Sequence, residues 1–205
     1  MSSRLGARLP RSYFSRDVLE VAPQLLGTLI RRDDVVLRIT EVEAYKWPGD
    51  TACHARAGKT PRTEALWGPP GRAYVYLCYG MHQMLNVVTG ASGDAQAVLI
   101  RSCEAVRGLE TIRARRAGKV GPSALSGPGK VGQALAVDTS WTHHPFHTAG
   151  GLTIHAAAPP DRVVTGKRIG IDFADPEHVA LPWRYAAADN RSVSHRRALD
   201  DGEGS

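Results

Sequence analysis

The stretch Val35–Tyr45, VVLRITEVEAY, decides the fold. Its β-branched residues and alternation read as a strand, and Asp33-Asp34 reads as the turn from a shorter strand over Thr28–Arg32. Successive side chains of a regular strand point to opposite faces, so Leu37, Ile39, Glu41, Glu43 and Tyr45 share one. That face begins apolar and ends on two carboxylates and a tyrosine. It predicts a strand that leaves a core and enters a polar cleft.

Upstream, residues 1–11 read as a polar, flexible leader. Ser15 is the expected helix N-cap with Asp17 in the first turn, and Val18, Leu19, Ala22, Leu25 and Leu26 recur at helical spacing before Gly27. Downstream, residues 46–72 are rich in Gly, Pro, Thr and Arg and read as a long ordered loop, a length that marks function. Strands follow at Ala73–Tyr79 and Met84–Thr89, joined by Gly80-Met81-His82-Gln83, and at Ala97–Arg101. Glu104–Arg116 reads as a helix with Val106, Leu109 and Ile112 inward. Residues 117–132 are glycine-rich and basic, and Ser126-Gly127-Pro128-Gly129-Lys130 opens a short helix, because proline suits its first turn. Further strands are expected at Leu152–Ala156, Val163–Ile171 and Trp183–Tyr185, with a mobile tail over 195–205. This order predicts an α/β fold: a mixed, mainly antiparallel sheet with flanking helices, as a single domain over 12–194.

Composition narrows the partners. The chain has 205 residues, a 42% hydrophobic content that can form a core, and a net charge of +6 that favours a polyanion. Cys53, Cys78 and Cys103 form no CxxC pair and are odd in number, so reduced thiols are expected rather than a disulfide framework. No apolar run approaches the ~20 residues of a membrane span, and the N-terminus lacks a signal-peptide core. A soluble, cytoplasmic protein is expected. No strand–glycine loop–helix fingerprint is present, so no cofactor is expected.

Several residues can carry chemistry. Glu41 and Glu43 could supply a general base, an acid/base pair or metal ligands, or simply pair with arginines. Tyr45, Trp47, Tyr74, Tyr76 and Tyr79 crowd into 35 residues; aromatic faces beside a carboxylate stack a nucleobase, although they also fill strand-rich cores. His54 could join Asp50 and Cys53 around a metal, but adjacent ligands without a second cluster favour a histidine that hydrogen-bonds or packs on a ring. His143, His144 and His147 form an HHxxH run that nothing completes, so no metal is expected. Ser126–Lys130 is either a phosphate seat or a plain loop. Lys59, Arg62, Arg113, Arg115, Arg116, Lys119 and Lys130 are candidate phosphate contacts.

Taken in order, Phe14–Gly27, Glu41–Tyr45, Asp50–His54, Gly58–Arg62, Tyr76–Met81, Asn86, Val98–Arg101, Gly108–Glu110 and Ser126–Pro128 resemble the alkyladenine (3-methyladenine) DNA glycosylase family, mammalian-type, which has bacterial members. The resemblance spans roughly residues 12–194. It implies a curved sheet with a protruding β-hairpin that inserts into DNA. By the same resemblance, Glu43 activates water and Arg101 and the Ile169 carbonyl hold it. Tyr45, Tyr76 and His54 grip a flipped base, and Asn86 lines the pocket floor against the amine of normal guanine. Tyr79 fills the vacated stack beside Met81, while Lys130 and Arg62 contact DNA. Thr63-Glu64 departs from the family's Asn-rich pattern, and 117–125 and 139–150 match no motif. The partner implied is double-stranded DNA with damaged purines, bound by a monomer.

The implied reaction suits these residues. Breaking a purine's glycosidic bond passes through an oxocarbenium-like sugar, which a carboxylate stabilises while it takes water's proton. Flipping costs a few kcal/mol of unstacking, least for a weakly paired base. The matched motifs contain no Schiff-base lysine, although Lys46 is close, so the expectation is a glycosylase without lyase activity. The alternatives are a catalytically silent DNA-damage binding protein of the same fold, and a metal-dependent hydrolase.

Overall fold

In the computed structural model, which describes residues 5–199, the decisive strand runs over Val35–Trp47, two residues further than expected. It is β2, following β1 (Leu29–Arg32). β3 (Ala73–Cys78), β4 (His82–Val88), β5 (Ala95–Arg107), β6 (Leu152–His155), β7 (Val163–Gly166) and β8 (Arg184–Ala187) complete the sheet. Its path is β3-β4-β5-β2-β1-β6, with β8 on β2 and β7 on β8, and every pairing is antiparallel. The helices are α1 (Arg11–Phe14), α2 (Val18–Leu25), α3 (Leu109–Arg115), α4 (Pro128–Leu135) and α5 (Pro176–Ala180). The α/β class with a mainly antiparallel sheet is therefore as expected.

β2 changes neighbours along its length. Its first half pairs with β1, and Glu41–Glu43 pair with β8, while β5 borders the other edge throughout. The β2–β5 ladder slips twice around Glu41: Ile39 faces Cys103, Glu41 faces Ser102 and Val42 faces Ile100. Thr40 on one strand and Arg101 on the other are thus left without a partner. Such bulges bend the strand and re-aim side chains.

Phe14, Val18, Val21, Ala22 and Leu25 bury themselves in the same core as Leu37, Ile39, Val42 and Ile100. α2 is capped by Asp17, whose carboxylate accepts from Leu19 N at 2.9 Å, rather than by Ser15, whose hydroxyl donates to Arg11 O. The expected helix over Glu104–Arg116 is shorter. Residues through Arg107 stay in β5, where they pair with Val36–Arg38, and Gly108 (φ 76°) breaks to α3. Val106 and Leu109, expected inward, are exposed, while Ile112 is buried. β7 stops at Gly166, short of the expected Ile171.

The termini also differ from expectation. Leu9 is buried, and residues 7–9 pair with the β6 region through Ala156 N→Ala7 O (2.8 Å) and Leu9 N→Ile154 O (2.9 Å), so this part of the leader is docked. His195 O and Ala198 O accept from Arg184 Nη2 at 3.5 and 3.1 Å, which docks the start of the tail. Residues 1–4 and 200–205, part of the expected flexible ends, lie outside the described residues. Among the described residues no helix is long and apolar enough to cross a membrane.

The β3–β4 hairpin turns earlier than expected, at Tyr79-Gly80-Met81, with His82 and Gln83 in β4. Tyr79 (φ 49°) and Gly80 (φ 69°) are both left-handed, and Met81 N closes on Cys78 O at 3.1 Å. Gly132 of α4 seats the hairpin's base, since a Cβ there would stand 2.2 Å from Gln83 O.

Candidate active site

A cavity of about 620 Å³ opens between the hairpin, β2, β5 and the 169–173 segment. Tyr45, His54, Arg62, Tyr76, Tyr79, Asn86, Arg101 and Ile169 all line it, so most of the expected site converges. Tyr74, Phe173 and Pro128 line it as well. Glu43, Met81 and Lys130 stand outside the wall, Glu43 directly behind the lining residues Tyr45, Arg101 and Ile169 that contact it. Tyr79 and Met81 are 85% and 71% exposed at the hairpin tip, a protrusion of large apolar side chains that calls for a partner. Lys130 Nζ donates to Ser123 O at 3.0 Å.

Glu43 is fully buried beside this cavity. Its Oε1 accepts from Ile169 N at 2.7 Å and meets Arg101 Nη1 at 3.2 Å, and its Oε2 accepts from the Tyr45 hydroxyl at 2.7 Å. A carboxylate offers about four lone-pair sites, so roughly one remains for a water. Ile169 thus acts on Glu43 through its N–H, a contact the expectation of a carbonyl did not include. The bulge at Arg101 accounts for its reach, since the unpaired residue turns its guanidinium onto both carboxylates: Nε lies 3.2 Å from Glu41 Oε1. Burial works against the Arg101 charge, but Glu43 and Glu41 outweigh it and hold its pKa above the ordinary value. Burial first, and the Glu43 charge second, push the Tyr45 phenol well up, so it stays a donor.

Tyr45 is backed by Arg168, whose guanidinium lies 4.8 Å from its ring centroid and 5.1 Å from that of Trp183. Arg168 in turn grips Asp50 at 2.6 and 2.8 Å, with both side chains fully buried. Asp50 is therefore a structural anchor for the loop after β2, and the 46–72 stretch is ordered around it by short 3-10 turns at His54–Ala57 and Glu64–Trp67.

His54 packs edge-on against Tyr76 with centroids 4.4 Å apart, and its Nδ1 meets the Tyr74 hydroxyl at 3.0 Å. Burial, reinforced by Arg62 and Arg56, lowers its pKa to about 4. The ring is therefore neutral through the physiological range. A folded pKa below the ordinary 6.5 means that His54's contribution to stability is full above pH 6.5 and is lost as pH falls towards 4. Following the imidazole by NMR from pH 3.5 to 8 should place its midpoint near the lower value; a midpoint near 6.5 would refute this packing.

Asn86 Nδ2 donates to Tyr74 O (3.1 Å) and Met84 O (3.2 Å), which fixes its amide at the cavity wall. The metal alternatives do not assemble among the described residues. His54 and the two glutamates have the partners given above, His144 Nε2 is bound to the Leu152 backbone, and His143 approaches Glu64 at 3.9 Å. The one group with metal-ligand spacing, Asp175, Glu177 and His178, is a different and mostly exposed set. Sequence reasoning missed Arg168, Arg184 and Ser194 as supports of the site; each lies more than 100 residues from its carboxylate partner.

Comparison with known proteins places this arrangement. The profile of the methylpurine-DNA glycosylase (MPG) family matches residues 12–191. An Arabidopsis thaliana protein named DNA-3-methyladenine glycosylase is 54% identical over 91% of this chain and 74% of its own length. A Nitrosococcus oceani protein named for the same activity is 56% identical over 93% of this chain and 95% of its own. One from Carboxydothermus hydrogenoformans is 43% identical over 92% and 99%. With the profile covering most of its length, this chain belongs to the methylpurine-DNA glycosylase family.

Proposed function

We propose that the protein is a base-excision-repair glycosylase that takes alkylated or deaminated purines out of duplex DNA and hydrolyses their N-glycosidic bond. The observation that carries this reading is the buried Glu43, held by Arg101, Ile169 and Tyr45 beside an aromatic cavity large enough for a purine. The net positive charge of +6 and the exposed basic residues bring the duplex in. The exposed Tyr79 and Met81 wedge the stack open, and the extruded base enters between Tyr45, Tyr76 and the neutral His54. An alkylated purine is already cationic and gains ~0.5–2 kcal/mol from aromatic faces. Glu43 stabilises the developing positive sugar and takes a proton from water, and an abasic site remains. One chain supplies every group named, so a monomer suffices, and the work belongs where the chromosome is. Glu43 and Arg101 together disfavour a silent damage-binding protein.

Among the described residues no lysine lines the cavity, and Lys46 Nζ is held by Asp17 at 2.5 Å. Hydrolysis through water alone predicts full release of 7-methylguanine, already cationic as a leaving group, from a duplex in EDTA, with no protein–DNA adduct trapped by borohydride. A trapped adduct would establish a lysine nucleophile instead, and loss of activity in EDTA restored by zinc would establish a metal enzyme.

A further inference from the structure

The second carboxylate, Glu41, is fully buried and, like Glu43, is not itself part of the cavity wall, so its partners are what set the two apart. Its Oε1 meets Arg101 Nε at 3.2 Å, Ser194 Oγ at 2.9 Å and Arg184 Nη1 at 3.5 Å. Its Oε2 accepts from Ser102 Oγ at 2.6 Å and from Ser194 N at 2.7 Å. Four hydrogen bonds fill the roughly four lone-pair sites of a carboxylate, and Arg184 adds only its charge, so none is left for a water. Glu41 is therefore excluded as a general base, in contrast to Glu43.

What Glu41 does control is the angle of Arg101. A guanidinium is a rigid planar fork, so anchoring its Nε on Glu41 fixes where Nη1 points, and here it points at Glu43 Oε1. The same carboxylate reaches further. Ser102 Oγ, which donates to it, also accepts from Gly127 N at 3.2 Å, in the turn that precedes α4 and the cavity-lining Pro128. Ser194 ties in the segment after β8, which Arg184 holds through His195 O and Ala198 O.

We infer that Glu41 is a positioning residue: it holds Arg101 on Glu43 and links that pair, through Ser102, to the Ser126-Gly127-Pro128 turn. The inference rests on the glycosylase reading, in which Glu43 is the base. Buried ion pairs are often only structural, so the test needs a readout that mere stability does not move.

The pH dependence of the reaction supplies one. The groups around Glu43 are Arg101 from β5, Arg184 from β8, Arg168 from the segment after β7, Tyr76 from β3, and Glu41 and Tyr45 on its own strand. If Glu41→Gln lets Arg101 swing away, the site loses the cation nearest its base and the acid limb of the rate profile moves up. If Arg101 stays in place without Glu41, a negative charge has simply been removed near Glu43 and the limb moves down. The two cases have opposite signs.

The experiment is single-turnover release of 7-methylguanine, whose base is cationic already, from a duplex by wild type, Glu41→Gln and Ser102→Ala across pH 5–9. Glu41→Gln should fall about tenfold at pH 7 and Ser102→Ala about threefold, both with the acid limb shifted up and with abasic-duplex affinity retained. A lower melting temperature with an unmoved or downshifted limb overturns the inference. Should Glu41→Gln fail to fold, Ser102→Ala, which buries no unpaired charge, decides alone by the same criteria. Absence of release by wild type itself would overturn the glycosylase reading, and this inference with it.

Discussion

Glu43→Gln should lower the single-turnover rate of base release by about 10²–10⁴-fold while duplex binding is kept. The substitution is nearly isosteric, so the fully buried site need not repack. With the amide oxygen in the Oε1 position Ile169 N–H still donates to it, the amide NH2 can donate to the Tyr45 hydroxyl oxygen, and Arg101 keeps Glu41 as a charge partner. What is lost is specific to the reaction: an amide neither accepts water's proton at neutral pH nor offsets positive charge on the sugar. The hairpin tip and the cavity rings are untouched, so binding survives. Measuring the rate beside the dissociation constant separates the two, and a variant as fast as wild type would remove Glu43 from the mechanism.

The second large effect is on stability. Arg168→Ala should destabilise the fold by about 3–5 kcal/mol, because it leaves the Asp50 carboxylate buried without its cation. Typical domains hold only about 5–15 kcal/mol in total, so the variant should sit near its unfolding threshold. The loss also reaches the site, since Arg168 stacks on Tyr45 and bonds Ala44 O at 2.9 Å. Urea denaturation measures it. A midpoint close to that of wild type would show that the Arg168–Asp50 pair offsets little more than its own desolvation.

These two residues illustrate what was legible beforehand. The strand from Val35, the α2 periodicity and the proline start of α4 follow local rules and could be read from neighbouring residues. The family resemblance pointed to Tyr45, His54, Tyr76, Asn86 and Arg101, and the structure gathers them around one cavity. Illegible features depend on partners distant in the chain. Asp50 has no assigned role in the sequence beyond a disfavoured metal reading with Cys53 and His54, because Arg168, which claims it, lies 118 positions away. Residues 104–107 look helical alone, yet pairing with β2 keeps them extended. The bulge at Arg101 exists only in the register between β2 and β5, and no single-strand pattern announces it. The surroundings of Glu41 and Glu43, identical in type and two residues apart, separate for the same reason: Ser102, Ser194 and Arg101 saturate one, while the other keeps a lone pair free.

The most direct test of glycosylase activity counts products. Wild-type protein should release one free methylated purine for each abasic site formed in methylated duplex DNA, with the strand left intact until alkali or heat is applied. Tight binding to the lesion duplex with no free base released would contradict the account and make the protein a reader of DNA damage rather than an enzyme that removes it.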